Sequence, residues 1–253
     1  MTALVTGASS GIGLEIARIL HDQYHYRVIL VARREEKLKK IQTELPNTEI
    51  IVMDLSKIDN CISLYEKVKN QDIDILVNSA GVGTFGYFDE TLLENEIAMI
   101  QINIEAVHVL TKLFLKDFIK KDKGYILNVA SSAAFMPGPL MSSYYSTKVY
   151  VLYLTEAIWR ELKEKKSHVS ISAFCPGPVD TEFNKKLDIT FSVQSLNPHD
   201  AAEYAIKGMV RKKRIIIPET KMKILHFFMR FVPERLLLYI NYRIQKSKKK
   251  DNP

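Results

Sequence analysis

Two side chains that can exchange a proton with a substrate lie one helical turn apart near the middle of the chain. Tyr144 and Lys148 are four residues apart, so both lie on one face if this segment is helical. A phenol with its reference pKa of about 10 is a poor base at neutral pH, and a nearby ammonium group lowers that pKa because it stabilises the phenolate. Tyr144 is therefore a candidate to donate a proton to a carbonyl oxygen or to accept one from an alcohol. The same spacing also arises by chance on amphipathic helices, so surface packing is the alternative interpretation.

A glycine-rich turn near the start of the chain is the second chemical pattern. The run from Thr6 to Gly13 reads TGASSGIG and lies between an apolar strand pattern and a helical pattern. Glycines permit a tight turn, a close approach of the backbone to a pyrophosphate and close packing of the helix on the strand, and free N–H groups at the helix start face the phosphates. This position predicts dinucleotide binding, with an ordinary glycine-rich turn as the alternative. The contacts predicted here are Gly7, Ser9, Ser10, Gly11, Ile12 and Gly13.

The end of the second predicted strand indicates which dinucleotide is bound. An acidic residue there would bind the ribose hydroxyls of NAD, whereas an arginine binds the 2′-phosphate of NADP. The strand ends in Ala32-Arg33-Arg34, and the first carboxylate, Glu35, lies inside the next predicted helix. Since a guanidinium group matches a phosphate bidentately, we expect NADP(H), with Arg33 as the principal contact and Arg34 as a second. Solvated arginines are the alternative, although cations at a helix N-terminus are mildly unfavourable.

Short apolar runs alternate with longer helical patterns along most of the chain. Runs rich in Val, Ile and Leu are typical of strands buried on both faces, and their alternation with helices predicts an α/β fold, a doubly wound parallel sheet of about seven strands. This Rossmann-type dinucleotide-binding and catalytic domain is assigned to residues 1–218, with residues 219–253 as its basic amphipathic C-terminal helical extension. The predicted strands are Ala3–Thr6, Val28–Ala32, Ile50–Met53, Ile75–Asn78, Tyr125–Val129, Ser170–Phe174 and Arg214–Ile217. The predicted helices include Ile12–Gln23, Arg34–Leu45, Leu93–Lys121, Ser146–Glu164 and His199–Arg211.

The chain resembles the short-chain dehydrogenase/reductase family in motifs that follow the family's order from Thr6 to Thr181. The glycine turn is similar to the family's Thr-Gly-x-x-x-Gly-x-Gly, and Tyr144 with Lys148 to its Tyr-x-x-x-Lys, which Tyr145 does not fit. Residues 78–81 (NSAG) resemble its Asn-Asn-Ala-Gly segment, with Ser in the second place. Residues 176–181 (PGPVDT) resemble its Pro-Gly-x-x-x-Thr loop near the nicotinamide.

The resemblance implies a role for each matching residue. Ser131, thirteen residues before Tyr144, matches the serine that hydrogen-bonds the substrate oxygen. Lys148 is implied to contact the nicotinamide ribose as well as to lower the pKa of Tyr144. Asn103 matches an asparagine that in relatives helps to hold a water chain to the lysine, with helix bending or packing as the alternative. The further cofactor contacts implied are Asp54, Leu55, Asn78, Ala80, Gly81, Pro176, Gly177, Val179 and Thr181.

The composition is that of a globular protein. Of the 253 residues, 47% are apolar and 26% are charged, which argues against general disorder. Cys61 and Cys175 are far apart and form no CxxC pattern, so we expect a reduced, cytoplasmic protein without a metal site. The N-terminus lacks the pattern of a secretory signal, and no run reaches the roughly 18 uncharged apolar residues of a membrane span.

Positive charge and two apolar stripes are concentrated in the tail. Residues 219–253 contain nine Lys or Arg and three Asp or Glu, which gives +6 of the chain's net charge of +7. The body is nearly neutral, so we expect no nucleic-acid partner. The stripes are expected to dock on the parent domain or on a second subunit of a homo-oligomer, a dimer or a tetramer, with peripheral membrane contact as the less favoured alternative. The stripes are Ile224, Phe227, Phe228 and Phe231, then Leu236, Leu237, Ile240 and Ile244, with Lys221, Lys223, Arg230, Lys246, Lys248, Lys249 and Lys250 around them.

Apolar residues dominate the segments that we expect to form the substrate pocket. No cluster of Arg or His demands a carboxylate or phosphate on the substrate, so a mainly apolar ketone or secondary alcohol is expected. Packing of a lid and of the core explains the same residues equally well. They are Val82, Phe85, Phe135, Met136, Pro137, Leu140, Met141, Leu187, Ile189, Phe191, Val193 and Leu196.

These patterns predict an NADP(H)-dependent oxidoreductase that transfers a hydride between nicotinamide and a carbonyl or secondary alcohol carbon. One alternative is an NADP(H)-binding sensor or scaffold without turnover. The joint presence of Ser131, Tyr144 and Lys148 favours the enzyme over the sensor. The other alternative is a membrane-surface reductase of lipid-derived carbonyls, which shares the chemistry and differs in its partner.

Overall fold

The computed structural model describes residues 1–187, 195–229 and 231–248, with only the backbone at positions 185 and 186. Its centre is a parallel sheet of seven strands in the order β3-β2-β1-β4-β5-β6-β7, which confirms the predicted doubly wound fold. The strands are β1 (Thr2–Thr6), β2 (Arg27–Ala32), β3 (Glu49–Val52), β4 (Ile73–Asn78), β5 (Tyr125–Val129), β6 (Ser170–Phe174) and β7 (Ile215–Ile216).

Helices cover both faces of this sheet, which is why its central strands are buried and mainly apolar. All residues of β1, β4 and β6 are buried. One face of the sheet packs against α1, α2 and α8, and the other face packs against α3, α5 and α6. The helices are α1 (Gly11–Asp22), α2 (Glu35–Glu44), α3 (Ile58–Val68), α4 (Leu93–Ile100), α5 (Ala106–Lys121), α6 (Ser142–Glu164), α7 (Glu182–Lys186), α8 (Pro198–Val210), α9 (Thr220–Met229) and α10 (Glu234–Lys246).

The fourth and fifth helices are joined by a π-helical turn, Gln101–Glu105. Among the described residues, the combined stretch Leu93–Lys121 is the one helix long and apolar enough to span a membrane by length and composition alone. Phe114 and Phe118 within it are buried in the core beside the sheet. The stretch therefore has the packing of a core helix in this fold.

The tail docks on the domain through polar side chains, which corrects the prediction that its apolar stripes dock there. Asn241 Nδ2 donates to the carbonyl of Pro137 at 2.7 Å, and the amide of Gln245 donates to the hydroxyl of Tyr145. The surface under α10 presents a buried phenol and a carbonyl, and buried polar groups require hydrogen-bond partners. The polar side of α10 therefore faces inward.

The apolar stripes of the tail consequently face outward. None of the residues of α9 is buried, and on α10 Leu237 is only half-buried. The exposed members of the predicted stripes are Ile224, Phe227, Phe228, Phe231, Leu236, Ile240 and Ile244. The basic residues Arg230, Lys249 and Lys250 lie outside the described residues.

Candidate active site

A cavity of about 460 Å³ opens at the carboxyl edge of the sheet. The strand order reverses between β1 and β4, and ligands of open α/β sheets bind at such a switch point. The cavity is lined by the glycine turn after β1, by the segments after β4, β5 and β6, and by the first turns of α6. The elements predicted from the sequence to carry the chemistry therefore meet at one place.

Backbone geometry explains the glycines of the turn. Gly7 has a φ of +67°, and a Cβ there would lie 2.8 Å from the backbone of Ala80. A Cβ on Gly13 would lie 2.6 Å from the carbonyl oxygen of Gly7, so the helix approaches the strand more closely than any side chain permits. The first N–H groups of α1 have no acceptor within the helix and border the cavity at Gly11, Ile12 and Gly13.

A cationic cluster lies beside the glycine turn. Arg34 Nη2 donates to Ser9 Oγ at 2.9 Å and to Ser10 Oγ at 2.7 Å, and Nη1 donates to Glu182 Oε2 at 2.5 Å. Lys37 also donates to Glu182. The hydrogen bonds from Lys37 and Arg34 lower the pKa of Glu182 to about 2. Arg34 and Lys37 thus bind the carboxylate of Glu182 here. Two such cationic donors are also what a phosphate group requires.

The two predicted arginines differ in how their side chains are held. Arg34, the predicted second contact, is fixed on Ser9 and Ser10, whereas the side chain of Arg33 is 54% exposed and its Nη1 lies 4.0 Å from Asp54 Oδ1. Both line the cavity. The physical reason is that Arg34 finds hydroxyl and carboxylate acceptors on neighbouring loops. Sequence reasoning missed Lys37 and Glu182, because nothing in their spacing brings them together.

Two of the cofactor contacts implied by the family motifs do not line the cavity. The side chain of Asn78 is buried, where its Nδ2 donates to Thr111 Oγ1 at 3.1 Å and to Asn128 Oδ1 at 2.9 Å. This pairing joins β4 to β5 and α5, so Asn78 does not line the cavity and is corrected to a structural role. Asp54 lies next to the cavity but does not line it, whereas Leu55 does.

The carboxylate of Asp54 is held by its own loop. Burial raises the pKa of Asp54, but the hydrogen bonds from Ser56 and the charges of Arg33 and Lys57 outweigh it, so that the pKa is lowered. The backbone N–H of Ser56 donates to Asp54 Oδ1 at 3.1 Å. Asp54 therefore stays ionised and remains available to a neighbouring donor.

The remaining motif residues line the cavity. Ala80 and Gly81, in the segment after β4, line the cavity. The backbone N–H of Ala80 donates to Thr6 Oγ1 at 3.2 Å. Pro176 accepts a hydrogen bond from the N–H of Ser132 at 2.8 Å, which fixes the loop after β6 next to the segment after β5. This loop contributes Pro176, Gly177, Val179 and Thr181 to the cavity.

Ser131, Tyr144 and Lys148 all line the cavity. Ser131 Oγ accepts the N–H of Ala133 at 3.1 Å, which fixes the turn that follows β5. Lys148 Nζ donates to the carbonyl of Val129 at 3.0 Å and lies 5.7 Å from the centroid of the Tyr144 ring. The predicted helix start at Ser146 is corrected to Ser142, so Tyr144 and Lys148 do share one helix face.

Burial sets the protonation of this pair. It raises the pKa of Tyr144 to about 12, against a smaller opposite effect of a hydrogen bond with Ser131. It also lowers the pKa of Lys148 to about 8. The predicted lowering of the Tyr144 pKa by Lys148 is therefore not met in the protein alone, because the removal of the phenol from water has the largest effect on this pKa.

Asn103 lies in the π-helical turn, is buried and does not line the cavity. Its Oδ1 accepts the N–H of Val82 at 3.0 Å, and its Nδ2 donates to the carbonyl of Val82 at 2.9 Å and to Thr147 Oγ1 at 3.1 Å. π-turns inside helices are frequent at functional sites. Asn103 thus joins the loop after β4 to the residue before Lys148, which makes it a positioning residue; the role in a water chain stays a prediction.

The C-terminal tail supplies part of the cavity, which sequence reasoning missed. Tyr145 lines the cavity beside Tyr144, but its hydroxyl binds Gln245. Lys248 lines the same cavity and is buried, and burial lowers its pKa to about 8. The sequence analysis looked for a cluster of Arg or His at the pocket, and the cation found there is a single lysine of the tail. A lysine in a basic tail carries no sequence signal for such a position.

Only part of the predicted apolar pocket lines the cavity. Val82, Met141 and Leu187 do, together with Phe183, whose ring lies 5.3 Å from that of Tyr144. Phe85 and Met136 pack behind them in a small cluster. The predicted residues Phe135, Pro137, Leu140 and Leu196 do not line it, and Ile189, Phe191 and Val193 lie outside the described residues.

The fold and this group of side chains define an α/β oxidoreductase of the dinucleotide-binding type. The family model described as short chain dehydrogenase matches residues 1–190. The chain is 31% identical to an uncharacterized oxidoreductase of Staphylococcus saprophyticus over 228 residues, 87% of this chain and 96% of the relative. It is 31% identical to an NADP-dependent 3-hydroxy acid dehydrogenase of Schizosaccharomyces pombe over 237 residues, 87% of this chain and 90% of the relative.

A solved structure agrees with these relatives. A short-chain dehydrogenase from Sphingobium yanoikuyae in complex with NADPH superposes with a TM-score of 0.83 and 25% identity, covering 93% of this chain and 94% of that one. This chain belongs to the short-chain dehydrogenase/reductase family, and it is an oxidoreductase of that family.

Proposed function

We propose that this protein is an NADP(H)-dependent oxidoreductase that interconverts a carbonyl compound and a secondary alcohol. The observation that carries the proposal is the convergence of Ser131, Tyr144 and Lys148 in one cavity with the glycine turn. NADP(H), when bound, supplies or accepts the hydride. Tyr144 donates the proton to the carbonyl oxygen, or takes it from the alcohol, and Ser131 hydrogen-bonds that oxygen.

The preference for NADP(H) over NAD(H) rests on the cationic cluster. Arg34 and Lys37 bind the carboxylate of Glu182, and a 2′-phosphate offers the same kind of acceptor with more negative charge. No carboxylate follows β2 before Glu35. The chain therefore lacks, at this point, the acidic residue that binds the ribose hydroxyls in NAD-specific sites and would compete with a 2′-phosphate. Arg34, with Ser9 and Ser10, is the group we assign to the phosphate.

The substrate is proposed to be mainly apolar at its reacting end. Phe183 and Leu187 line the cavity near Tyr144, while Lys248 adds a cation at the tail side. The Schizosaccharomyces pombe relative is described as acting on 3-hydroxy acids, so carboxylate-bearing substrates belong in the test. A sensor without turnover and a reductase of lipid-derived carbonyls are not favoured, because the two relatives named above are described as an oxidoreductase and as a 3-hydroxy acid dehydrogenase.

The test is a steady-state comparison of NADPH and NADH consumption with a panel of ketones, aldehydes and 3-oxo acids. We expect the higher kcat/KM with NADPH, and turnover of at least one carbonyl class. A higher kcat/KM with NADH would refute the cofactor assignment. Absence of turnover across the panel, with NADPH binding intact by fluorescence titration, would refute the enzymatic proposal.

A further inference from the structure

The C-terminal tail carries an exposed apolar surface, which we name the outer face. Its members are large apolar side chains of α9, α10 and the turn between them, each between 42% and 72% exposed. The ring of Phe227 lies 5.5 Å from that of Phe228 and 5.6 Å from that of Phe231, so the three phenylalanines form one group. Contiguous apolar surface of this kind marks a contact site. The outer face consists of Ile224, Leu225, Phe227, Phe228, Phe231, Leu236, Tyr239, Ile240 and Ile244.

The outward orientation of these side chains is fixed by the contacts on the other side of the tail. Asn241 and Gln245 hydrogen-bond to Pro137 and Tyr145. The ring of His226 is stacked on that of Phe135, with centroids 3.7 Å apart. A rotation that buried the apolar stripe of α10 would break both hydrogen bonds and leave the Tyr145 hydroxyl buried without them. The outer face is thus built to point away from the domain.

Exposed basic side chains surround the outer face. Lys221, Lys223, Arg235, Arg243 and Lys246 are all exposed. Residues 219–253 carry +6, whereas the rest of the chain carries +1. Basic helices with aromatic and aliphatic side chains on one side are typical of segments that lie in the interface of an anionic bilayer.

We propose that the outer face binds the surface of an anionic phospholipid bilayer, with α9 and α10 at the level of the lipid headgroups. Charge selects this occupant over a second copy of the chain. Two outer faces in contact would bring two tails of +6 together, whereas anionic headgroups neutralise one tail and receive its phenylalanines. The inference goes beyond the proposed reaction and does not depend on it.

The first experiment is flotation of the full-length protein with extruded vesicles. Vesicles of phosphatidylcholine alone are compared with vesicles that also contain phosphatidylglycerol. We expect binding to the mixed vesicles to be at least about tenfold tighter, because each basic residue near an anionic surface adds to the attraction. Binding should weaken as the salt concentration rises, because salt screens charges at a surface.

Matched variants assign the binding to the outer face. Phe227→Ser with Phe228→Ser, and separately Lys221→Glu with Lys223→Glu, should each lower the partition constant about tenfold or more. Ile58→Ser with Ile62→Ser on α3 removes two apolar side chains that are 45% and 43% exposed and should leave vesicle binding unchanged. Lys40→Glu with Lys67→Glu makes the same charge change on α2 and α3 and should have a much smaller effect. Circular dichroism and the unfolding midpoint are to be measured for all four variants, to establish that each is folded.

Three results would overturn the proposal. The first is a wild-type protein that floats with neither kind of vesicle. The second is binding that the tail variants and the control variants reduce equally. The third is a wild-type protein that is a dimer by light scattering and binds no vesicles, while the variant with Phe227→Ser and Phe228→Ser is a monomer. This result would assign the outer face to a second copy of the chain.

Discussion

On one wall of the cavity Gly7 holds a φ of +67° under the backbone of Ala80, and on another wall Gln245 reaches from the tail to the hydroxyl of Tyr145. The first contact is a matter of backbone geometry, because no other residue type fits there. The second depends on which side of an amphipathic helix turns inward. We name the wall at Gly7 the cofactor wall and the wall at Tyr145 and Gln245 the tail wall. The cofactor wall depends on the residue type at each position, whereas the tail wall depends on buried polar groups that need hydrogen-bond partners.

This difference separates the two walls in their expected response to mutation. Changes on the cofactor wall and at the proton donor should affect catalysis or cofactor binding strongly. Changes on the tail wall should act through the substrate alone. The following variants test that contrast.

The largest effect is expected for Tyr144→Phe, which removes the proton donor and keeps the ring. The loss in kcat should be about a thousandfold, as for other general acids, while NADPH binding by fluorescence titration should be unchanged. Tyr145→Phe is the matched control, because its hydroxyl binds Gln245, and its kcat should stay within about threefold. Normal turnover of Tyr144→Phe would remove Tyr144 from the mechanism.

Gly7→Ala is the next largest. The new Cβ would combine a positive φ with a 2.8 Å contact to the backbone of Ala80, so the free energy of unfolding should fall by about 3 kcal/mol. NADPH affinity should fall about a hundredfold, because the turn must shift. Gly177→Ala also lies in the cavity, but the nearest atom to its Cβ is 3.8 Å away. Urea unfolding should show a loss of less than about 1 kcal/mol for this control.

Arg34→Ala tests the assignment of the phosphate contact. The KM for NADPH should rise about thirtyfold, which is the scale of charge-assisted hydrogen bonds, and the KM for NADH should stay within about threefold. Arg33→Ala should give a smaller rise, because that side chain is 54% exposed and has weaker contacts. If the two rises are reversed in size, the sequence-based order with Arg33 first is correct.

Gln245→Leu tests the tail wall. Loss of the amide leaves the Tyr145 hydroxyl buried without this partner, so the ring should shift and the KM for the carbonyl substrate should rise about fivefold. The kcat and the KM for NADPH should stay within about twofold, a split that general destabilisation would not produce. Ile244→Ser changes the exposed neighbour of Gln245 on α10 and should leave all three constants unchanged.

The smallest effect is expected for Glu182→Gln. The variant removes the carboxylate that occupies Arg34 and Lys37, so the KM for NADPH should fall about threefold. The pKa of Glu182 is lowered to about 2, so its ion pairs are complete above its unfolded pKa and are lost only as the pH falls towards 2. The ratio of wild-type to variant KM should thus be constant between about pH 6 and 8. A rise in KM would show that Glu182 assists the phosphate site.

The sequence predicted the sheet and the cofactor turn closely, because local rules act there. All seven predicted strands are present, two with the predicted bounds and five with ends shifted by one or two residues, since strands buried on both faces are near-continuous apolar runs. Asn78 was misassigned for the opposite reason. Its motif position at the end of β4 is as expected, but its side chain forms a buried pairing with Asn128, which is far away in sequence.

By itself the sequence determined the features that follow from repetition, alternation or one required residue type: the parallel sheet, the glycine turn, and the four-residue spacing of Tyr144 and Lys148. Tertiary structure decided what depends on the neighbours of a side chain. It fixed Arg34 on Ser9 and Ser10, raised the pKa of Tyr144 through burial, and turned the polar side of α10 towards Tyr145. The physical reason is that periodicity shows that a helix has an apolar side, but the surface of the domain on which the helix packs decides which side faces inward.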